Sequence, residues 1–441
     1  MSLYYLLLVM TRFHFDPRVG KALLDTGVVL VTPVKIVGLL TVLAALFGSR
    51  PVAAALRHKS PQSLLFVFFA ALPVYDTLAL GLPIPSTSIS SLISFGFLMV
   101  ATRLLVTTDE RMIKVVRVTI LASALASLWI YKQHFVQHLD RPPGLEQDPN
   151  YEALTLVTGI PLAIWMARHE IGRWWRVTGV GSAGLMALGV VLTESRGGLI
   201  ALGVLGFLML AFAGRKIATL ALLAAAAILV VEFAPAGLSG RFYSIKISGK
   251  PTNGDEESTR IHFELLKAGI SMISSHPLLG VGLDRFKSVA PDYNSNIYLI
   301  SGQSFIAHNT YIQIAAEGGL PALAMFVALI CLAAANCSVA RRSADTTLAD
   351  LGLAMQLGLV AYGIAAISVS AEYVSSFWLI VFLSQNLRDI SLATTKPAGS
   401  DASKQARVST LSLHGIALPH RPSIQRIPGR PGTSRRASVT D

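Results

Sequence analysis

Long apolar runs separated by short polar segments occupy the chain from residue 24 to residue 387. A helix that crosses ~30 Å of hydrocarbon needs roughly 20 mostly apolar residues, so each long run is a candidate span. The apolar segment 2–10 is about half as long, and we count it as a short first crossing. The pattern predicts an all-α, polytopic membrane protein with twelve spans. The eleven long runs are 24–47, 62–80, 87–106, 115–131, 152–167, 177–193, 197–214, 217–235, 320–340, 348–370 and 373–387.

Composition narrows the class of protein. The 441 residues are 53% hydrophobic and only 14% charged, whereas a soluble domain has about 25% charged residues. The high apolar and low charged content excludes a disordered chain, a coiled coil and an ordinary cytosolic enzyme. Cys331 and Cys337 lie on opposite sides of one apolar helical run, so no disulfide is predicted between them.

Charged residues between the spans predict the orientation, because Lys and Arg accumulate on the cytoplasmic side of a membrane. From residue 50 onward, connections rich in bases alternate with connections poor in bases, so the net charge of +12 reflects topology and no nucleic-acid partner is expected. Arg12, Arg18 and Lys21 are the exception, since this scheme places them outside while both termini are cytoplasmic. The bases of the cytoplasmic loops are Arg50, Arg57, Lys59, Arg103, Arg111, Lys114, Arg117, Arg168, Arg173, Arg176, Arg215, Lys216, Arg341 and Arg342.

One connection is much longer than the others and faces outside in this scheme. Long loops are where binding and catalytic residues concentrate. The C-terminal tail is rich in Ser, Pro, Arg and Thr without apolar periodicity, which predicts a disordered basic cytoplasmic tail. We therefore divide the chain into N-terminal transmembrane helices (1–238), a large periplasmic loop (239–309), C-terminal transmembrane helices (310–390) and the tail (391–441).

Two arginines stand in outer segments. Arg196 lies in LTESRGGLIAL, a hairpin between two spans, where the simpler alternative is a turn in which it pairs with Glu194 or a lipid headgroup. Arg260 lies where Ser258 or Thr259 can cap a helix, and its simpler alternative is a solvated arginine in the first turn. The pattern predicts an amphipathic interfacial helix whose apolar face consists of Ile261, Leu265, Ala268 and Met272.

A histidine stands where the long loop returns to the membrane. His308 lies in SFIAHNTYIQIAAEGGLPALAMF, and Gly319 follows after about three helical turns, which predicts that Gly319 lies beneath it on one helix face beside a groove. The alternative is an inert, hydrogen-bonded histidine at a helix start. A separate polar stripe is predicted from Thr310, Gln313 and Glu317.

Acidic groups are interpreted structurally. Residues 255–257 are predicted to be a solvated stretch before the loop helix, and DPNYE at 148–152 is predicted to cap a span. Two outer arginines and one histidine then combine fixed positive charge with a group that titrates near neutrality. Guanidinium groups suit phosphate oxygens, and imidazole suits general acid or base work. This combination fits a reaction whose leaving group is a lipid-borne diphosphate.

The same segments resemble a known family. TESRGGLIAL, RIHFELLKAGISMISSHPLLGVGLDRF and HNTYIQIAAEGGLPAL are similar to the signature blocks of the bacterial O-antigen ligase and Wzy-type polysaccharide polymerase superfamily. The specific similarity covers roughly residues 180–340. Arg196 matches the arginine of the family's Arg-x-x-x-Leu element, with Ile200 in the leucine place. The family's loop-helix arginine is matched by Arg260, and its His and following Gly are matched by His308 and Gly319.

The resemblance implies a metal-independent, inverting glycosyltransferase of GT-C-like architecture that needs no cofactor. It implies a site on the periplasmic side of the bacterial inner membrane, an undecaprenyl-diphosphate-linked glycan as donor, and a glycan or lipid A core as acceptor. Arg196 and Arg260 then hold the diphosphate, His308 orients or deprotonates the acceptor hydroxyl, and Gly319 contributes to substrate binding.

Other functions remain open at the level of the sequence. The motifs do not distinguish a ligase, which completes lipopolysaccharide, from a polymerase of O-antigen or exopolysaccharide, or from relatives that glycosylate proteins. A transporter or flippase of lipid-linked sugar predicts inverted repeats and charged or broken helices at mid-depth, and we find no internal repeat. A structural scaffold in contact only with membrane lipids explains the spans but leaves the three outer motifs unexplained.

Overall fold

The computed structural model describes residues 1–13, 24–25, 30–48, 60–170, 172–212, 254–297 and 305–395. Several predictions made from the sequence lie outside the described residues. They are the span at 217–235, the loop bases at 50–59 and 215–216, Arg18, Lys21, the loop segments 239–253 and 298–304, and the tail from residue 396.

Helices dominate the described chain, and the predicted apolar runs fall within them with few exceptions. Helix α5 continues into a short π-helical turn, Lys132–Val136. The helices are α1 (Ser2–Arg12), α2 (Pro33–Gly48), α3 (Pro61–Ala79), α4 (Ser86–Leu105), α5 (Asp109–Tyr131), α6 (Pro149–His169), α7 (Arg173–Leu192), α8 (Arg196–Ala211), α9 (Gly254–Ser275), α10 (Phe286–Tyr293), α11 (Thr310–Ala340), α12 (Thr346–Ala365) and α13 (Ser375–Thr395).

The predicted span at 24–47 is wrong at its start. Helix α2 begins only at Pro33, and two short strands, β1 (Leu24–Asp25) and β2 (Leu30–Val31), pair antiparallel before it. Proline is favoured at the first helical position, and its ring disfavours helical backbone in the residue before it. Pro33 therefore sets the helix start that the apolar pattern placed too early.

Six of the described helices are long and apolar enough to cross a membrane, and α2 and α8 are shorter apolar helices. Large apolar side chains also point out of the bundle, among them Phe47, Phe207 and Val180. Together these features show an all-α, polytopic membrane protein, while the count of twelve spans stays a prediction. The six helices are Pro61–Ala79, Ser86–Leu105, Asp109–Val136, Arg173–Leu192, Thr310–Ala340 and Thr346–Ala365.

Two contacts pair the described connections as the charge pattern predicts, base-poor with base-poor and base-rich with base-rich. At one end Tyr151 donates to the carbonyl oxygen of Ser370 at 2.6 Å, which joins two base-poor connections. At the other end the base-rich connections meet, for example through Arg117 and Glu170, whose Nε and Oε1 atoms are 2.5 Å apart. We call the end that holds residues 148–152, 193–196 and 366–374 the site end.

Arg12, the exception in the charge pattern, is neutralised inside the protein. Its Nη2 lies 2.6 Å from Oε1 of Glu152, and its Nη1 lies 3.5 Å from Oε1 of Glu146. All three side chains are buried or nearly so. A buried guanidinium that is paired with carboxylates adds no free positive charge to a loop. The position of Arg12 at the site end is therefore compatible with the small number of basic residues there.

The GGLP sequence breaks α11 and creates a docking point for the long loop. Gly319 has φ 72° and ψ 177°, and Pro321 has no N–H to bond the carbonyl of Glu317. The N–H of Gly282 bonds this carbonyl instead, at 3.1 Å. The N–H of Leu320 likewise donates to the carbonyl oxygen of Pro277 at 2.8 Å. The turn after α9 is therefore fixed to the kink of α11 by backbone hydrogen bonds.

Helix α9 has the apolar face that the sequence predicts. Ile261, Leu265, Ala268 and Met272 are buried and pack into a separate small core with Phe286, Ala290, Ile297, Ala307 and Ala316. The predicted start of the helix is wrong, because α9 begins at Gly254 rather than at Ser258 or Thr259. Residues 255–257 thus lie within the helix and not before it.

The two cysteines agree with the prediction. Both are free thiols, Cys331 exposed and Cys337 buried within α11.

The kink of α11 predicts that a methyl group added at Gly319 lowers the stability of the protein. A Cβ at Gly319 would lie 2.3 Å from the carbonyl oxygen of Leu278, and the residue has a positive φ. We expect Gly319→Ala to destabilise the protein by about 2 kcal/mol or more, since this positive-φ, extended-ψ backbone is essentially restricted to glycine and costs another residue about 1–3 kcal/mol. Thermal unfolding of the purified protein in detergent measures the difference.

Gly181 provides the matched control for this prediction. It lies in helix α7, and a Cβ at this position would meet no neighbouring group within 4 Å. Gly181→Ala should therefore be neutral or stabilising by up to about 1 kcal/mol. Equal melting temperatures for the two variants would contradict the assigned role of the kink.

Candidate functional site

The start of α8 is held tightly against its neighbours by two glycines. Ser195 caps the helix by accepting a hydrogen bond from the N–H of Gly198 at 3.3 Å. A Cβ at Gly197 would lie 1.8 Å from Oγ of Ser368, and one at Gly198 would lie 2.5 Å from Cβ of Ala153. The SRGG sequence therefore lets the first turn of α8 approach both α6 and the connection after α12.

Arg196 is the first residue of α8 and reaches across to α9. Its Nη1 donates to Oγ1 of Thr259 at 2.8 Å. Thr259 does not cap a helix, because α9 begins earlier. Its hydroxyl instead links the predicted arginine of the hairpin to the helix that carries Arg260.

The entry into α11 fixes the backbone at His308. Asn309 caps the helix, and its Oδ1 accepts hydrogen bonds from the N–H groups of Tyr311 and Ile312 at 3.0 and 3.1 Å. His308 lies just before this cap with φ 49°, a left-handed conformation that histidine and asparagine adopt more readily than most residues. The N–H of Ala307 donates to Oε1 of Gln313 at 2.8 Å.

These segments line a partly open cavity. It has a volume of about 310 Å³, and Arg260 and His308 both line it. Thr259, the partner of Arg196, lines the same wall. The structure therefore brings together the three residues that the sequence singled out, from three different segments. Polar groups share this cavity with the apolar side chains of Phe263, Leu266 and Ile367.

The cavity also holds a second imidazole that the sequence analysis missed. The rings of His262 and His308 stack with centroids 4.5 Å apart and planes 8° from parallel. Burial lowers the pKa of His308, and Arg141 lowers it further, while Asp148 acts in the opposite direction. Burial lowers the pKa of His262 to about 3, assisted by the positive charge on its neighbours. Both rings are therefore held in their neutral form near pH 7.

Arg141 is a further cation at this site that the sequence analysis did not single out. Its Nε donates to the carbonyl oxygen of Thr193 at 3.4 Å, and its Nη2 donates to Oδ1 of Asn150 at 3.0 Å. Ser195 donates to the same Asn150 oxygen at 2.9 Å. The sequence did hold a signal for Arg141. A basic residue in an outer connection with few bases is unusual, and Arg141 stands in such a connection as Arg196 does.

The DPNYE segment caps a helix as predicted. Oδ1 of Asp148 accepts a hydrogen bond from the N–H of Asn150 at 2.7 Å at the start of α6. Asp148 also acts on the pKa of His308, so the cap borders the site as well as starting the helix.

Gly319 does not have the predicted geometry relative to His308. The expected helical register does not exist, because His308 precedes α11 and Gly319 has non-helical backbone. Gly319 lies instead against the carbonyl oxygens of Pro277 and Leu278. Its contact with the turn after α9 accounts for a glycine at this position, and substrate binding by Gly319 stays a prediction.

The predicted polar stripe on α11 holds the surrounding segments in place. Thr310 donates to the carbonyl oxygen of Val369 at 2.7 Å and accepts from the N–H of Ala371 at 2.8 Å. Glu317 accepts from the N–H groups of Asp284 and Phe286 at 2.9 and 3.0 Å. The stripe therefore anchors the connection after α12 and the loop between α9 and α10 to one helix.

Glu372 is a buried carboxyl group that the sequence did not single out. Its Oε2 is buried and has no hydrogen-bond partner among the described residues. A small cavity of about 30 Å³ lies between it, Gln313 and Glu317. Burial raises the pKa of Glu372 to about 7.

The raised pKa of Glu372 predicts how stability depends on pH. The unfolded carboxyl loses its proton near pH 4.5 and the folded one near 7, so the free energy of unfolding falls as pH rises through this window, by up to about 3 kcal/mol. We expect Glu372→Gln to remove this loss and to raise the melting temperature relative to the wild type at pH 8, with a smaller difference at pH 4.5.

The control for this prediction is Glu110→Gln, since Glu110 lies on the surface and pairs with Lys114. It should change the pH dependence of the melting temperature little. Parallel curves for the wild type and Glu372→Gln between pH 4.5 and 8 would contradict the assignment of a buried, protonated carboxyl.

Comparison with known proteins gives one family match. Residues 181–327 match the family model Wzy_C, described as O-antigen ligase. This confirms the resemblance to the O-antigen ligase and Wzy-type superfamily, over a segment that contributes most of the residues lining the cavity. No curated protein is a significant match to the chain. The matched segment includes Arg196, Arg260, His308 and Gly319.

Proposed function

We propose that this membrane protein, whose residues 181–327 match the O-antigen ligase family, transfers a glycan from undecaprenyl diphosphate to an acceptor hydroxyl in surface polysaccharide or lipopolysaccharide biosynthesis. The observation that carries the proposal is the shared cavity. Arg260 and His308 line it, and Arg196 is hydrogen-bonded to its wall. The family match supports a glycosyltransferase-like enzyme with a lipid-linked glycan and a polysaccharide acceptor in general.

In this proposal Arg196 and Arg260 bind the diphosphate. Guanidinium groups present paired N–H donors that match phosphate oxygens. Negative charge grows on the diphosphate as the bond to the anomeric carbon breaks, and preformed cations near that oxygen stabilise the transition state. The two arginines supply this charge without a metal ion. The apolar walls at Phe263, Leu266 and Ile367 suit the polyprenyl chain beside the phosphates.

His308 acts as the general base in this proposal. Its lowered pKa keeps the ring neutral near pH 7, and its Nδ1 is buried without a hydrogen-bond partner among the described residues. The acceptor oxygen attacks the anomeric carbon from the side opposite the diphosphate, and its proton passes to the imidazole. One bond forms from carbon to the acceptor oxygen, and the bond to the diphosphate oxygen breaks, so the configuration inverts.

The charge pattern supports the proposed sidedness of the site. The site end is poor in bases and the opposite end is rich in them, so the positive-inside rule supports a periplasmic site in a bacterial inner membrane. We propose the twelve-span, GT-C-like arrangement, with residues 239–309 as the periplasmic loop. In this arrangement the other six spans would be α1, α2, α6, α8, α13 and the apolar run at 217–235.

Loss of the histidine should abolish transfer without disturbing the backbone. We expect His308→Asn to reduce transfer at least about 100-fold, since a general base contributes about 10²–10⁴-fold. Asparagine tolerates the left-handed backbone at this position, so the variant separates the loss of the imidazole from strain. The measurement is glycan transfer in membranes with the natural undecaprenyl-diphosphate-linked glycan as donor.

The arginine prediction uses a charge-matched control. Arg260→Ala should lower transfer about 100-fold or more, whereas Lys287→Ala removes an exposed positive charge from the same loop and should leave transfer near the wild-type level. Normal transfer by both His308→Asn and Arg260→Ala would defeat the catalytic assignment.

The nature of the acceptor separates a ligase from the alternative, a Wzy-type polymerase. Deletion of the gene should leave polymer on its lipid carrier if the protein is a ligase. It should leave single repeat units, with no polymer, if the protein is a polymerase. We expect the ligase result, in line with the description of the matched family.

A further inference from the structure

We propose that His262 is a positioning residue that covers one face of the His308 ring, holds that ring in place and shields it from water. The proposal rests on the proposed function, in which His308 accepts the proton of the acceptor hydroxyl. It assigns to α9 a second task beside the placement of Arg260.

The geometry of the two rings supports a covering role. With centroids 4.5 Å apart and planes 8° from parallel, the rings overlap face to face, and both line the cavity. His262 follows Arg260 by two positions on α9, and the buried neighbours Ile261 and Leu265 anchor that helix to the small core. The imidazole of His262 is therefore carried on a helix that is packed in place.

The charges around the pair disfavour a proton on either ring. Arg196 and Arg141 act on His262, and Arg141 also acts on His308. Arg260 lines the same cavity, and Asp148 is the opposing carboxylate that faces His308. With a pKa of about 3, His262 stays neutral wherever the enzyme works and serves as a flat aromatic surface. These positive charges disfavour a mechanism in which the proton passes from His308 to His262.

Two substitutions separate covering from chemistry. His262→Phe keeps a flat ring over His308 and removes both nitrogen atoms. His262→Gln removes the ring and keeps a polar side chain of similar length. If covering is the role, the phenylalanine variant should preserve the lowered pKa of His308. The glutamine variant should let water reach the ring and move that pKa up toward its ordinary value.

The experiment measures the protonation of His308 without turnover. Diethyl pyrocarbonate reacts with histidine only when the imidazole is neutral, so the rate of modification localised to His308 by mass spectrometry, followed against pH, gives its titration midpoint. The purified full chain in detergent is used. We expect the midpoint in His262→Gln to rise by about 0.5 pH unit or more, and that in His262→Phe to stay near the wild-type value.

His276 serves as an internal control in the same samples, because it is exposed just after α9, outside the stacked pair, and its modification should be the same in every variant. A second variant, His262→Ala, should repeat the upward shift of the glutamine variant. At least one of His262→Gln and His262→Ala must remain folded for the test. If the titration midpoint of His308 is unchanged in that variant, the proposal is overturned.

Transfer activity gives the second readout. The ring-less variants should lose more activity at pH 6 than at pH 8, while His262→Phe should keep most of the activity at both. A phenylalanine variant as inactive as the ring-less ones would show that His262 itself is needed chemically and would overturn the covering role. If His308→Asn retains transfer, the proposed function fails, and the titration still tests the stacking independently.

Discussion

The arrangement of the site depends on the hydrogen bonds that the first turns of α11 make with three surrounding segments. Thr310 binds the connection after α12, and Glu317 binds the loop between α9 and α10. Gln313 lies between them, accepts from Ala307 and donates to Glu317 at 2.6 Å. Buried polar groups of this kind are costly when unpaired, so each bond restricts the segment it holds. The walls of the cavity are fixed because they share this one helix end.

The kink of α11 also restricts the loop after α9, and it does so through backbone hydrogen bonds alone. Gly319 and Pro321 interrupt the helical bonding pattern, and the turn that contains Pro277 and Gly282 replaces the missing partners. The loop helix α9 is thus joined to α11 at its far end through this turn. At its near end it is joined to α8 through the hydrogen bond between Thr259 and Arg196. A helix held at both ends can present Arg260 and His262 to the cavity in one fixed orientation.

Much of this architecture is readable from the sequence because it rests on local periodicity. The apolar runs predict the helices, and the spacing of Ile261 and Leu265 predicts the buried face of α9. The site residues were found because charged groups in base-poor outer segments are unusual. The start of α9 was placed too late, because a Ser or Thr inside a longer helix gives the same sequence signal as one that caps its first turn.

What the sequence did not reveal depends on contacts between distant segments. The stacking of His262 on His308 joins residues far apart in the chain, and nothing in the local pattern of α9 distinguishes that histidine from a solvated one. Glu372 was missed for the same reason, because its surroundings come from other helices. Arg141 was missed although its place in a base-poor outer connection was a usable signal, because its contacts with Thr193 and Asn150 are not visible in the sequence. The expected register of Gly319 failed because proline and glycine together override the helical phase.

The central claim is that the cavity binds the diphosphate of a lipid-linked donor. The most direct measurement is an experimental structure of the full chain in lipid nanodiscs with undecaprenyl diphosphate added. The account predicts the two phosphates within hydrogen-bonding distance of the guanidinium groups of Arg196 and Arg260, with His308 facing the bond to be broken. Phosphates bound at the base-rich end of the bundle, with the cavity occupied only by water, would contradict it.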